Sequence, residues 1–266
     1  MRISVVHSTL YRYDAPALLE PHTFRLRPRN DASQRLEQFA LDLAPAPAGQ
    51  SWCLDQDGNV TLETWFREPL QELSVMSSFQ VETVRENPFD FLARSAVDAE
   101  TRSTLAPYCG RVSNEVEEFA RSIDGEAAEF LAALNGRLYE EFEHTIREEG
   151  PAEASERTLA ERSGSCRDLA VLFCGACRSR GIPARFVSGY EREASIQEPA
   201  HMHAWAEVYL AGGGWRGYDP TQGLAVSTSH VALAAAADPR LAAPVTGSYR
   251  GKAKATMSYS ISMQVG

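Results

Sequence analysis

One stretch limits what this chain can become: residues 163–181, Ser-Gly-Ser-Cys-Arg-Asp-Leu-Ala-Val-Leu-Phe-Cys-Gly-Ala-Cys-Arg-Ser-Arg-Gly. Ser165 followed three residues later by Asp168 is a capping box, which puts Cys166 at about the first helical position. Arg178 and Arg180 in the last turn, Gly181 just past it and Pro183 beyond are stop signals. Cys166, Leu169, Ala170, Phe173, Cys174 and Cys177 recur at helical spacing on one apolar face. The spacing predicts a helix buried along its length, with a thiol at its N-terminus. There the unpaired N–H groups and the helix dipole favour a thiolate.

What precedes this helix reads differently. Residues 1–84 alternate apolar and polar side chains: Ile3, Val5, His7, Thr9 and Tyr11, then Phe39, Leu41 and Leu43, then Leu73, Val75, Ser77, Phe79 and Val81. Asp57-Gly58-Asn59 is a hairpin turn before Val60, Leu62, Thr64 and Phe66. Short strands separated by turn signals predict a β-sandwich. His7 and His22 stand alone here and are given structural or surface roles. Residues 85–115, broken at Pro88 and Pro107, are expected to be a linker on the surface. Two helical faces follow, Val116/Phe119/Ala120/Ile123 and Ala127/Phe130/Leu131/Leu134/Leu138, then a polar loop at 147–157.

Beyond the central helix, Ala184–Gly189 and His203–Leu210 read as strands, and Trp215–Asp219 as the strand returning from a hairpin turn at 211–214. The polar stretch 191–200 (Glu191, Arg192, Glu193, Glu198) is read as solvated, and its position before His203 makes it a candidate lip of the site. Residues 226–246 are Ala-rich and weakly patterned. In the last strand Met257, Tyr259, Ile261, Met263 and Val265 alternate with polar residues. The domains expected are a β-sandwich at 1–84, a linker at 85–115, and an α+β catalytic domain at 116–266 that includes the C-terminal strand.

The net charge of −10 offers no basic field for nucleic acid or an anionic membrane. Lys252 and Lys254 are the only lysines; the preference for Arg is read as genome composition. The start, Met-Arg-Ile-Ser-Val-Val-His, has no apolar signal core. An odd set of cysteines (53, 109, 166, 174, 177) points to reduced thiols. A cytoplasmic protein with no nucleic-acid or membrane partner, no metal and no cofactor is expected. Oligomeric state is not legible.

Three groups fit one chemistry: Cys166 at a helix start, His203 opening a strand, Asp219 ending the next. In a Cys–His–Asp arrangement the thiolate attacks an acyl carbon, the imidazole moves the proton, and the carboxylate orients the imidazole. Their setting is specific. Gly164-Ser-Cys-Arg-Asp-Leu-Ala170, Gly181-Ile-Pro-Ala-Arg-Phe-Val-Ser-Gly-Tyr190, His203-Ala-Trp-Ala-Glu-Val-Tyr-Leu210 and Gly214-Trp-Arg-Gly-Tyr-Asp-Pro-Thr221 resemble the bacterial transglutaminase-like superfamily, whose members are often described as cysteine proteases. His7, Tyr11, Tyr13, His22, Arg25–Pro28 and Asp57-Gly58-Asn59 resemble the β-rich N-terminal domain often fused to that core, and Ser248–Gly251 its tail. The resemblance implies a β-sandwich followed by a papain-like α+β core, with Cys166 as nucleophile, His203 as base and Asp219 as its orienting partner. The backbone N–H of Cys166 is the proposed oxyanion donor; a second donor is not legible.

Other readings compete with this one. Cys166 could be an ordinary buried thiol. Cys174 and Cys177, with His201 and His203 downstream, invite zinc, but their mid-helix apolar placement favours core packing. His201 competes with His203 and is read as flanking the site, as are Ser165 and Asp168; Trp205 is read as core near it. The expected function is thiol-dependent acyl transfer on a peptide or protein substrate, with water as acceptor (peptidase or amidase). Transfer to an amine, as in a transglutaminase, and a non-catalytic peptide-binding scaffold are the alternatives.

Overall fold

The structure, a computed structural model, describes residues 1–147, 150–192 and 201–266. The first strand, β1 (Arg2–Leu19), buries Ile3, Val5, His7 and Thr9 on one face, as the alternation predicts. β2 (His22–Phe24), β3 (Gln34–Ala44), β4 (Gly49–Leu54), β5 (Val60–Trp65) and β6 (Leu70–Thr83) follow. The β4–β5 hairpin turns at Gly58, whose φ of +78° suits glycine, and the Asp55 carboxylate accepts the Asp57 and Asn59 N–H groups.

Helices come next: α1 (Ala99–Leu105), α2 (Asn114–Arg121) and α3 (Ala127–Glu141). Then come β7 (Glu143–His144), α4 (Ser155–Glu161), β8 (Ser163–Gly164) and α5 (Cys166–Ser179). The chain ends with β9 (Ala184–Glu191), β10 (Met202–Leu210), β11 (Gly214–Asp219), β12 (Leu224–Ala225), β13 (His230–Ala236), β14 (Val245–Thr246), β15 (Tyr249–Arg250) and β16 (Ala255–Val265).

The fold is α+β with antiparallel sheets, as expected. One sheet runs β15–β1–β6–β3 with β16 also on β1, and a second runs β14–β2–β5–β4. Ile3, Val5, Leu73, Val75, Phe79 and Val81 of the first meet Phe24, Leu26 and Leu62 of the second in one core. The third sheet, β12–β11–β10–β9–β13, carries α5.

Three expectations change. The C-terminal strand, assigned by sequence to the catalytic domain, pairs with β1 from Ile3↔Val265 to Tyr13↔Ala255, and β14 and β15 also join the N-terminal sheets. The α5-bearing module is therefore inserted between strands of the β-sandwich. The expected linker 85–115 contains α1, and it straps the β10–β11 turn: the Arg94 N–H donates to Ala211 O (3.0 Å), and the Arg216 guanidinium lies 4.8 Å from the Phe91 ring centroid. The expected polar loop 147–157 already enters α4 at Ser155.

α5 is buried on all sides because it is the middle layer. Leu169, Leu172, Phe173, Cys174 and Cys177 pack among α2, α3 and the sheet. Gly175 allows this closeness: a Cβ there would sit 3.2 Å from Ser155 Oγ and 3.3 Å from a Val116 methyl. The helix ends in a Schellman turn, with Gly181 N–H donating to Arg178 O (3.0 Å) and Ile182 N–H to Cys177 O (3.0 Å).

β13 is tied to the N-terminal sheets by side-chain amides. Gln34 and Asn59 each donate to and accept from its backbone, at Ala232 (2.9 and 2.7 Å) and at Ala235 (2.9 and 2.9 Å). Tyr190, Val231 and Leu233 also enter the sandwich core, so the two modules share apolar packing.

Candidate active site

The N-terminus of α5 is held by its own sequence. The Asp168 carboxylate accepts from the Ser165 N–H (2.8 Å) and hydroxyl (2.7 Å), and from Arg147 (2.6 Å) and the Glu153 N–H (2.7 Å). Burial alone would raise its pKa, but these donors hold the carboxyl below its usual value. Asp168 is thus turned to Arg147, the Glu153 N–H and Ser165, and its charge is matched by Arg147 rather than left to oppose a thiolate.

Cys166 lines a broad cleft. Burial would raise its pKa, but side-chain hydrogen bonds from His144 and His203, the nearby imidazolium and the Ala204 N–H bring the thiol down to about 6. His144, His203 and the Ala204 N–H are thus the groups that favour the thiolate.

Each partner has a structural cause. On β10, Ala204, Ala206 and Val208 belong to the apolar clusters that hold α5, and the two alanines let the helix come close. His203 and Trp205 alternate to the other face; their rings stack at 6.3 Å, and Trp205 is buried. The register places His203 opposite Gly189. Asp219 ends β11, and its Oδ2 accepts from His203 Nε2 (2.7 Å). With Nε2 committed there, Nδ1 is the ring nitrogen left for Cys166. Burial opposes a charge on His203, but Asp219 and Cys166 raise its pKa well above the ordinary imidazole value. Asp219 is fully buried, yet hydrogen bonds from His203 and His230 hold its carboxyl far below the usual range.

The structure thus brings together Cys166, His203 and Asp219, with Ser165 and Asp168 at the helix start and Trp205 beneath His203. His201 stands at the cleft rim, with Nδ1 2.6 Å from the Tyr259 hydroxyl of β16. Cys174 and Cys177 lie in the packed core, where burial pushes the Cys174 thiol up to about 11 and Cys177 well above its ordinary value. Within 191–200, only Glu191 and Arg192 lie among the described residues; the candidate lip as a whole, including Glu193 and Glu198, lies outside them.

Two residues at the site, His144 and His230, escaped the sequence reading, and a third, Glu191, was read only as part of a solvated candidate lip. His144 sits on β7, paired in parallel with β8 so that it faces Gly164 in register. His230 opens β13, is fully buried, and its Nε2 lies 3.0 Å from Asp219 Oδ2. Its other nitrogen, Nδ1, is 2.9 Å from Ser229 Oγ. Glu191 ends β9 with Oε2 3.5 Å from His203 Nε2. Glu191, His203, Asp219 and His230 each offer one donor atom, all within 4.8 Å of one another, and this set could hold a metal ion. One wall of the cleft is built by the N-terminal sheet, through His7, Thr9, Tyr11, Met257 and Tyr259.

Residues 3–82 match the Bacterial transglutaminase-like N-terminal region, and residues 116–220 match the Transglutaminase-like superfamily. An uncharacterized protein of Mycobacterium leprae is 28% identical over 94% of this chain and 94% of its own length. A protein of Pseudomonas aeruginosa named protein-glutamine gamma-glutamyltransferase is 25% identical over 71% of this chain and 30% of its own length. Among solved structures, one described as a putative cysteine protease from Cytophaga hutchinsonii superposes with a TM-score of 0.75 at 22% identity, covering 100% of this chain and 91% of that one; it supports the fold.

Proposed function

The chain belongs to the transglutaminase-like superfamily, a family of thiol-dependent enzyme cores, and on that premise we propose that it hydrolyses an amide or peptide bond through a Cys166 thioester. The observation that carries this reading is the Cys166–His203–Asp219 line, with a lowered thiol facing a raised imidazole.

The Cys166 thiolate attacks the acyl carbon, and the carbonyl π pair moves to oxygen. The Cys166 N–H at the helix start and an imidazole N–H of His144 are the donors that hold this oxyanion. His203 gives its Nδ1 proton to the departing nitrogen as the C–N bond breaks, leaving a thioester. Neutral His203 then takes a proton from water, hydroxide adds to the thioester, and the acid leaves with the thiolate restored. Asp219 keeps the imidazole in place and balances its charge throughout.

Water is the favoured acceptor because the cleft beside Cys166 opens broadly, about 1680 Å³, and no amine-binding group is identified among the described residues. The relative named protein-glutamine gamma-glutamyltransferase makes transfer to an amine the second reading. Incubation with a peptide library, with and without a primary amine, separates them. Cleaved products without amine, absent in Cys166→Ala, are expected. Products that form only with amine would replace hydrolysis by transfer, and no thiol-dependent product in either arm would favour a binding scaffold.

A further inference from the structure

The oxygen and nitrogen atoms behind His203 do more than orient it. We propose that Glu191, His203, Asp219 and His230 form a site for a zinc-type divalent cation that switches the thiol centre off. Four donors converge: His203 Nε2 and His230 Nε2, 2.7 and 3.0 Å from Asp219 Oδ2, with Glu191 Oε2 3.5 Å from His203 Nε2. Tetrahedral zinc, with bonds of about 2.0–2.1 Å, wants its donors roughly 3.3 Å apart. Three of the spacings, 2.7 to 3.5 Å, bracket that value, and all four donor atoms lie within 4.8 Å of one another. Two imidazoles and two carboxylates are a common donor chemistry for zinc, and the two negative charges neutralise the dication.

The surrounding residues orient these donors as a metal site requires. Asp219 Oδ1 accepts from the Thr221 N–H (2.9 Å) and hydroxyl (2.7 Å). His230 Nδ1 faces Ser229 Oγ, so on coordination at Nε2 the ring can carry its proton on Nδ1 and donate to that hydroxyl. Glu191 and His203 line the cleft, while Asp219 and His230 stand behind them, which gives the ion a path in.

Coordination stops the chemistry for a definite reason. An ion at His203 Nε2 displaces the proton there to solvent. The neutral ring then keeps its one remaining proton on Nδ1, the nitrogen that faces Cys166. A ring in that state has no lone pair to accept a proton from the thiol or from the attacking water. Asp219, drawn onto the ion, no longer balances an imidazolium. Cys166 is not a ligand, which separates this site from the usual capture of zinc by a thiolate.

The inhibitory half rests on the function proposed above; ion binding does not, and the two fail separately. The full chain is titrated with cobalt(II), followed by visible absorption, and with zinc in competition with a chromophoric chelator. One ion per chain is expected, with tetrahedral d–d bands and no thiolate-to-cobalt charge-transfer band, unchanged in Cys166→Ala. Affinity falls at least tenfold in Glu191→Gln and in His230→Gln. Should His230→Gln fail to fold, Glu191→Gln, at the open end of the site, carries the test alone. A charge-transfer band that disappears in Cys166→Ala, no saturable binding, or an affinity indifferent to Glu191→Gln overturns the site. Saturable binding of this kind with no loss of hydrolysis overturns the switch.

Discussion

Cys166 has its thiol lowered from two separate segments: His144 of the 143–144 strand, and the neighbouring His203 and Ala204 of β10. A thiol at about 6 is half ionised near that pH, and its thiolate is lost as the pH falls below it. Without the imidazole the thiol should return toward its ordinary value of about 8.5, which cuts the thiolate at pH ~6 by roughly 100-fold. The less stabilised thiolate is about tenfold more nucleophilic, which offsets part of this loss. His203→Ala is therefore expected to slow alkylation of Cys166 near pH ~6 by about tenfold and to move its acid limb upward by more than a unit. Trace iodoacetamide labelling read by peptide mass spectrometry, with all five cysteines followed, checks both. An unchanged pH profile would mean that the ion pair is not what lowers the thiol.

Cys166, His203 and Asp219 were legible together because each sits in a block that resembles the family, with a local signal beside it: a capping box, a strand opening, a strand end before Pro220. His144 and His230 have no such marker. His144 belongs to a two-residue strand paired with a second two-residue strand, Ser163–Gly164, and no periodicity can be read from two residues. Glu191 looked like one carboxylate in a solvated run, and nothing in that run reveals that β9 carries it to His203.

Elements differed in legibility for an equally physical reason. Both ends of α5 were readable, since a capping box and a Gly C-cap act within a few residues. β13 was not. It is buried on both faces, so it has no alternation, and its alanines give little hydrophobic contrast. The pairing of β9 with β13 rests on Gly189: a Cβ there would fall 2.1 Å from Val231 O and 2.8 Å from the Trp205 ring. Gly189→Ala must push β13 away or tilt Trp205. A loss of about 3 kcal/mol in urea unfolding is expected, at the upper end for overpacking because backbone is what blocks the methyl. The variant should also slow Cys166 alkylation, because Trp205 supports the His203 ring. A stability within about 0.5 kcal/mol of wild type would show that the sheet yields there.

At the scale of the molecule, the order of modules along the chain was legible and their interleaving was not. Composition marks where β-rich gives way to α-rich sequence, but the partner of a late strand is chosen by long-range register. The join is specific as well as apolar: the Gln34 and Asn59 amides satisfy four backbone groups at Ala232 and Ala235. A leucine at Asn59 leaves the buried Ala235 N–H and C=O without these amide partners, and one at Gln34 leaves the Ala232 N–H without its own (the Ala232 carbonyl keeps the Arg29 N–H), at a cost of roughly 1–3 kcal/mol each. Asn59→Leu is expected to lower the unfolding midpoint and to loosen β13 first, seen as faster hydrogen exchange at Ala232 and Ala235. Exchange unchanged at those amides would mean that the apolar contacts alone hold the modules together.

The pairing of β16 with β1 also bears on how the protein is made. As the chain is made, β1 and β6 can join before β16, which lies more than 170 residues after β6, is available. Through that interval residues 3–13 present an open row of backbone donors and acceptors that β16 will later cover. A nascent chain stalled before residue 255 is therefore the form most exposed to strand exchange with a neighbour. A binding factor that shields it would have to recognise extended backbone rather than the cleft.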